Sequence, residues 1–354
     1  MSEENILEVR HLCTSFLRED SELRAVDDMS YTVKKGECVA IIGESGSGKS
    51  VSALSILRLI PYPPGVIKSG EIIFKGRDLM KLSNAEMEEI RGSEIGMIFQ
   101  EPSTALNPVM PVGAQIEENI LRHGAVEDEN LTPEQREKYR GMSIPQRARA
   151  RAAELLALVD IPNPETRLRD YPFQFSGGMQ QRAMIAMAMA CNPDILIADE
   201  PTTALDVTVQ AQVLEQMNGL RERFGTALII ITHNLGIVAR YADSVKIVYG
   251  GRIVEDGDVV QVFRNPHHPY TIGLINAVPR LDLPRSHGLH TIEGEPPDMS
   301  KIPPASCAFA ERCPLASDEC RSKRPPLTEV EPGHTCACFH IEEAVRSAKE
   351  VLGA

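Results

Sequence analysis

At 354 residues the chain is longer than one average domain, so it reads as a main domain of ordinary size with an appendage. Its 42% hydrophobic and 25% charged residues are ordinary for a globular protein, while the net charge of −13 argues against a broad nucleic-acid surface, which needs Lys and Arg against phosphates, and leaves room only for local basic patches. No apolar run approaches the roughly 18 residues of a membrane span; the longest, 183–191 and 227–231, have the length of core elements.

The start, Met1-Ser2-Glu3-Glu4-Asn5, is acidic and lacks a hydrophobic signal core, so the chain is expected to stay in the cytosol. Disulfides are rare there, and the eight cysteines need another explanation. Cys13, Cys38 and Cys191 stand singly in apolar surroundings and read as packed core residues.

Residues 6–12 and 29–33 are short alternating runs, and with the turn Lys34-Lys35-Gly36-Glu37 they predict a small antiparallel sheet. Phe16 is placed on the loop after the first run, where an aromatic ring is more often plain packing than a base platform. The apolar run Cys38-Val39-Ala40-Ile41-Ile42 leads into Gly43-Glu44-Ser45-Gly46-Ser47-Gly48-Lys49-Ser50, which matches the phosphate-binding pattern G-x-x-x-x-G-K-[ST] at every position. Its glycines let backbone N–H groups converge on a polyphosphate. Lys49 brings positive charge to the outer phosphates, and the Ser50 hydroxyl is a ligand for Mg²⁺. From Val51 to Ile60 the chain is mostly apolar and free of proline, which predicts a helix with its positive N-terminal end facing the phosphates.

Residues 69–76 predict another hairpin strand, and 95–100 a strand ending on Gln100. From 101 to 175 apolar residues recur at helical spacing, as in 148–159, which predicts a helical insert; its stretch 124–146 is polar and reads as loop or surface helix. Beyond Ser176 a helix at 179–191, a strand at 195–198, a helix at 207–224 and a strand at 227–231 alternate. Such alternation implies a parallel sheet with ligands at the carboxyl ends of its strands. One of these strands ends in Asp199 and Glu200, whose side chains leave an extended backbone in different directions. Asp199 can hold Mg²⁺ or its water, and Glu200 can orient and polarise an attacking water. Thr232 and His233 follow the last of them, and 244–255 predicts a closing hairpin before the proline content rises.

Phe175-Ser176-Gly177-Gly178-Met179-Gln180-Gln181-Arg182, between the phosphate loop and the acidic strand, resembles the signature motif of ATP-binding cassette (ABC) ATPases. Ser176-Gly177-Gly178 opens a helix, a geometry that receives an anion on backbone N–H groups. The ordered set of Phe16, residues 43–50, Gln100, Ser176 to Gly178, residues 195–200, Ala204-Leu205-Asp206 and His233 covers about residues 5–260. The resemblance implies an α/β P-loop ABC-type ATPase domain over 1–260, with a parallel-sheet core, an antiparallel β subdomain and a helical subdomain at about 101–175. It further implies that two such domains close head to tail, each ATP lying between the phosphate loop of one and the signature of the other.

Carried over residue by residue, Phe16 stacks the adenine, and Gly43, Glu44, Ser45, Gly46, Ser47, Gly48, Lys49, Ser50 and Val51 surround the phosphates. Ser50, Gln100 and Asp199 serve Mg²⁺, and Gln100 reports to the helical insert. Glu200 acts on water, with Lys49, Gln100 and His233 as further catalytic groups, while Ser176, Gly177, Gly178 and Asp206 lie at the dimer contact. Phe175 and Met179 stand where Leu and Gln are commonest, and Asn234 follows His233 where Asp is common. None of these departures removes a catalytic group, so hydrolysis is expected.

Asn265-Pro266-His267-His268-Pro269-Tyr270-Thr271 and Gly294-Glu295-Pro296-Pro297 resemble the C-terminal extension of dipeptide and oligopeptide importer ATPases, which makes 261–354 a small Cys- and Pro-rich extension. The prolines around His267 and His268 fix a rigid turn with no third ligand nearby in sequence, so both read as structural. Cys307, Cys313, Cys320, Cys336 and Cys338 gather in a segment with little core of its own, which needs a staple. In the cytosol that favours a metal or cluster over disulfides. The tight pairs that zinc prefers are absent and four thiolates at looser spacing suit an iron–sulfur cluster, though zinc and packed free thiols stay open. The resemblance points to a [4Fe–4S] cluster on Cys307, Cys313, Cys320 and Cys338, with Cys336 extra.

The function so implied is the ATP-hydrolysing subunit that energises import of dipeptides or oligopeptides, with import of nickel or another small solute as the alternative. The expected partners are a second, related ATPase, two transmembrane permease subunits docked on the helical insert and, through them, an extracytoplasmic solute-binding protein; no nucleic acid is expected. The expected place is the cytoplasmic face of the cell membrane, as a peripheral subunit. An ABC protein acting on ribosomes or DNA usually carries two cassettes or a long coiled coil. A redox module that binds nucleotide only to dimerise is opposed by the intact Glu200.

Overall fold

The computed structural model describes residues 5–19, 21–202, 205–278 and 291–352. They fall into two compact units that the chain enters more than once. One comprises Lys34–Glu37 and Lys81–Ile230; the other takes the described parts of Glu4–Val33, Cys38–Met80 and Ile231–Ala354.

In the first unit the strands Ile95–Ile98 and Ile195–Asp199 pair in parallel, with Ile95 opposite Ile195 and Ile98 opposite Ala198. Every residue of Ile195–Asp199 is buried, which is why this stretch reads as an unbroken apolar run rather than an alternating one. The predicted helical insert is present. Its helices Val112–Arg122 and Ile144–Leu158 pack on each other and on Gly177–Ala188, burying Ile116, Ile120, Ala152, Leu155 and Met184. The polar stretch 124–146 holds one short surface helix, Pro133–Lys138, started by a capping box in which Thr132 and Gln135 exchange side-chain and backbone hydrogen bonds. The helix Val207–Phe224 has the predicted bounds: Asp206 caps its start and Gly225, at φ 67°, ends it.

In the second unit an antiparallel sheet has the spatial order Glu22–Lys34, Asn5–Leu17, Gly65–Phe74, Arg77–Asp78, as the first runs predicted. Its first strand does not end at Leu12. A bulge between Arg10 and Cys13 lets pairing continue until Phe16 faces Gly65, so Phe16 lies on a strand and not on the expected loop.

The strand Cys38–Ile42, wholly buried, runs parallel to Ser244–Tyr249, which forms a hairpin with Arg252–Asp258. The sheet does not close there, contrary to expectation. The outer strand of a hairpin leaves a row of unpaired backbone groups, and here His334–Cys336 covers it, placing Cys336 opposite Glu255, with Thr328–Glu331 beyond. The extension thus adds two strands to a sheet begun by the phosphate-loop strand.

Candidate nucleotide site and cysteine cluster

Residues 43–50 join the strand Cys38–Ile42 to the helix Lys49–Ile56, the strand–loop–helix context that the motif requires. The helix starts two residues earlier than the apolar run predicted, so Lys49 and Ser50 occupy its first turn and Val51 follows. Gly43 is a close approach, since a Cβ there would stand 2.2 Å from the Val248 carbonyl oxygen. The Lys49 ammonium, on a residue only 4% exposed, donates to the carbonyls of Gly43 and Glu44 at 2.8 Å each. It is therefore held over the mouth of its own loop. Ser45 and Gly46 are exposed at the loop tip, and the buried Ser47 hydroxyl has no hydrogen-bond partner among the described residues.

His233 follows the strand Ala227–Thr232 and is exposed. The next residue explains the departure from the common family wording: Asn234 Oδ1 accepts the N–H groups of Gly236 and Ile237 at 3.0 and 3.4 Å and so caps the helix Leu235–Tyr241. Asn serves that purpose as well as Asp.

In the first unit Asp199 ends its strand buried, at 6% exposure, while Glu200 turns out of it with φ 46°. A non-glycine residue in the left-handed region is strained by about 1–2 kcal/mol and recurs at functional sites. Gln100, just past the strand Ile95–Ile98, donates from Nε2 to Glu200 Oε2 at 3.2 Å. Two of the expected site residues, 100 positions apart in the chain, are thus brought together.

Ser176 caps the helix Gly177–Ala188, its hydroxyl accepting the Met179 N–H at 3.3 Å, and Gly177 is exposed at the open end. Asp206 Oδ1 accepts from Thr208 and Val209 at 3.1 and 3.0 Å, so its structural work is helix capping. Ala204, part of the expected set, lies outside the described residues.

All eight cysteines of the chain are free thiols, and the five of the extension share one electrostatic neighbourhood, in which Cys336 feels Cys307 and Cys338. Cys313 feels Cys307 and Cys320, and Cys338 feels all three. Burial pushes the Cys313 thiol up to about 11 and the Cys338 thiol to about 12, and the neighbouring sulfurs add to both shifts. Among the described residues no three of these sulfurs lie mutually within 4.8 Å. A single tetrahedral zinc would hold them about 3.8 Å apart, given Zn–S bonds near 2.3 Å.

The residues that do satisfy that separation are Glu255, His267 and His334, all buried. The Glu255 carboxylate already accepts the His267 and His268 backbone N–H groups at 2.7 and 3.0 Å and meets His334 Nε2 at 2.8 Å. The expectation that no third ligand lies near His267 fails, because the fold brings Glu255 and His334 to it; the hydrogen bonds of Glu255 tie the turn at 267–268 and the edge strand to the core. The Glu255 staple, the Arg312–Glu44 pair, and Arg252, which joins Asp27 to the Ser306 carbonyl, have no motif in the sequence.

Fold and motifs together define an ATP-binding cassette ATPase. The chain belongs to the ABC transporter family, whose model matches residues 26–203, and the model of the oligopeptide/dipeptide transporter C-terminal region matches residues 254–320. A probable peptide ABC transporter ATP-binding protein of Sinorhizobium fredii is 49% identical over 96% of both chains. The oligopeptide transport ATP-binding protein OppD of Bacillus subtilis is 48% identical over 93% of this chain and 87% of its own, and the dipeptide transport protein DppD of the same organism is 45% identical over 98% and 97%. Among solved structures, a dimeric post-hydrolysis state of the cassette MJ0796 bound to ADP and Pi covers 72% of this chain and 98% of its own, with a TM-score of 0.60 and 25% identity. The fold is the α/β P-loop ATPase fold, a mixed sheet with helices, and the chain is an ATP-hydrolysing enzyme of that class.

Proposed function

We propose that this ATPase energises import of dipeptides or oligopeptides. The observation that carries the reading is the coincidence, in one chain and in order, of a cassette match and a peptide-transporter C-terminal match, in a sequence that aligns almost end to end with peptide-transport ATP-binding proteins. Division at about residue 260, into a cassette over 1–260 and an extension over 261–354, belongs to the same proposal. So do the partners: a second related ATPase, two permeases docked on the insert 101–175, and a solute-binding protein on the far side. Among the described residues no helix is long and apolar enough to cross a membrane. Peripheral placement on the cytoplasmic face, beside those permeases, is part of the same proposal.

In the proposed cycle the loop 43–50 and the first turn of Lys49–Ile56 hold the ATP phosphates, with Phe16 against the base. Ser50, Asp199 and Gln100 serve Mg²⁺. Glu200, whose carboxylate is already in contact with the Gln100 amide, orients the attacking water, and His233 contacts the γ-phosphate. The helix start at Ser176-Gly177-Gly178, with Asp206 beside it, caps the nucleotide of the partner. ATP binding closes the dimer and hydrolysis reopens it. The test is peptide-stimulated ATP turnover by the co-purified complex with its solute-binding protein. Stimulation by nickel or another small solute and not by peptides would overturn the reading.

We also assign Cys307, Cys313, Cys320 and Cys338 to a [4Fe–4S] cluster. Four thiols within electrostatic reach of one another but spaced too widely for one zinc ion support it, and a cluster would bind them as thiolates, displacing their protons. Such a group supplies a covalent staple for a segment short of core. Anaerobic purification with iron, sulfide and zinc quantification tests this. Stoichiometric zinc without iron would end it.

A further inference from the structure

The phosphate loop carries one acidic residue, Glu44, where an anion is a liability: the loop gathers N–H groups and a lysine around a polyphosphate, and a carboxylate there opposes it. The extension answers that charge. Arg312 Nη1 donates to Glu44 Oε2 at 2.7 Å and Nη2 to Oε1 at 3.1 Å, the parallel two-pronged pairing that fixes both charge and orientation. The arginine side chain is 7% exposed and the glutamate 23%.

Arg312 is itself held in place. Its Nε donates to the Glu293 carbonyl at 3.0 Å, Nη1 donates to the Tyr249 hydroxyl at 3.3 Å, and the guanidinium lies 5.8 Å from the centre of the Tyr249 ring. A second contact acts on the backbone of the same residue, the Glu44 N–H donating to the Tyr270 hydroxyl at 2.9 Å. Tyr249, Tyr270 and Phe309 pack edge-on or tilted within 4.6 to 5.4 Å of one another, so the floor beneath the loop is rigid and apolar. A guanidinium stays charged at any working pH, so the pair with Glu44 keeps its charge.

We propose that Arg312 is a positioning residue for nucleotide binding: by neutralising Glu44 and holding it toward the extension, it sets the affinity of residues 43–50 for the ATP phosphates. The extension is then part of the nucleotide site's supporting shell and not only an appended segment. The inference rests on the reading of 43–50 as an ATP site, and is independent of what the cysteines hold.

The experiment measures MgATP affinity of the full chain by equilibrium titration, with thermal melts alongside, for the parent, Arg312→Gln, Arg312→Lys and the double variant Arg312→Gln/Glu44→Gln. Arg312→Gln should weaken binding about tenfold, which is about 1.4 kcal/mol. The double variant should recover most of that loss, because removing the carboxylate removes the repulsion. Arg312→Lys, which keeps the charge but loses the fork, should lie between. A purely structural role predicts no recovery in the double variant, and that result, or unchanged affinity in Arg312→Gln, overturns the proposal. A parent chain that binds no MgATP overturns the ATP reading itself, and a parent that binds while Arg312→Gln matches it overturns the positioning role alone.

Discussion

Two glycines of the phosphate loop offer a controlled comparison. Gly46 and Gly48 both have positive φ, 77° and 99°, so an alanine at either position bears the left-handed penalty of about 1–2 kcal/mol. Their surroundings differ. A Cβ on Gly46 would meet nothing within 4 Å, whereas one on Gly48 would lie 2.0 Å from the Ala25 carbonyl oxygen. Neither side of that contact can yield easily: Gly251 donates its N–H to the Ser47 carbonyl at 3.0 Å and accepts from the Asp27 N–H at 2.9 Å, which ties the loop to residues 25–27. Forcing an atom into packed structure adds about 1–3 kcal/mol. Gly46→Ala should therefore lose about 1–2 kcal/mol and Gly48→Ala about 2–5 kcal/mol. Thermal unfolding of the full chain without nucleotide reads the difference, since each kcal/mol moves the midpoint by about 2–4 °C in domains of 150–250 residues. Equal losses in the two variants, or a Gly48→Ala protein as stable as its parent, would refute the steric argument.

Arg252→Ala should cost about 3 kcal/mol, at the low end for breaking a buried pair, because it strips Asp27 of a 2.7 Å partner and the Ser306 carbonyl of a 2.6 Å donor while Arg324 remains 3.7 Å away to compensate in part; denaturant unfolding measures it. His268, 1% exposed, has its pKa lowered from 6.5 to about 4 by burial, and its Nδ1 must stay unprotonated to accept the Tyr270 N–H at 3.1 Å. The unfolded chain binds that proton first, so stability is full above pH 6.5 and falls as pH drops toward 4, by about 3 kcal/mol in all. Melting temperatures across this window should fall less steeply in His268→Asn, and an unchanged slope would count against the assignment. Glu200→Gln should retain MgATP binding and lose turnover by about 10²–10⁴-fold, the range of a general base, as phosphate release would record. Unaltered turnover would remove Glu200 from the chemistry.

Local rules carried the sequence a long way. Helix Val207–Phe224 was readable to the residue because Asp206 and Gly225 mark its two ends. The wholly buried strands Cys38–Ile42 and Ile195–Asp199 announce themselves as unbroken apolar runs, and the loop 43–50 follows from its letters alone. The strand that carries Phe16 was misread as loop because a bulge interrupts its alternation, and alternation was the only signal available.

Sequence alone therefore determined the family and the candidates: the phosphate-loop motif, the residues proposed to serve phosphate, Mg²⁺ and an attacking water, and the cysteines proposed for a shared group. Tertiary structure alone decided how the extension is used. Arg312 and Glu44 stand 268 positions apart, Arg252 and Asp27 225 apart, and His334 and Glu255 79 apart, on segments with no common motif. An unsatisfied buried charge or an open strand edge must find a partner, yet nothing local says where along the chain it will come from.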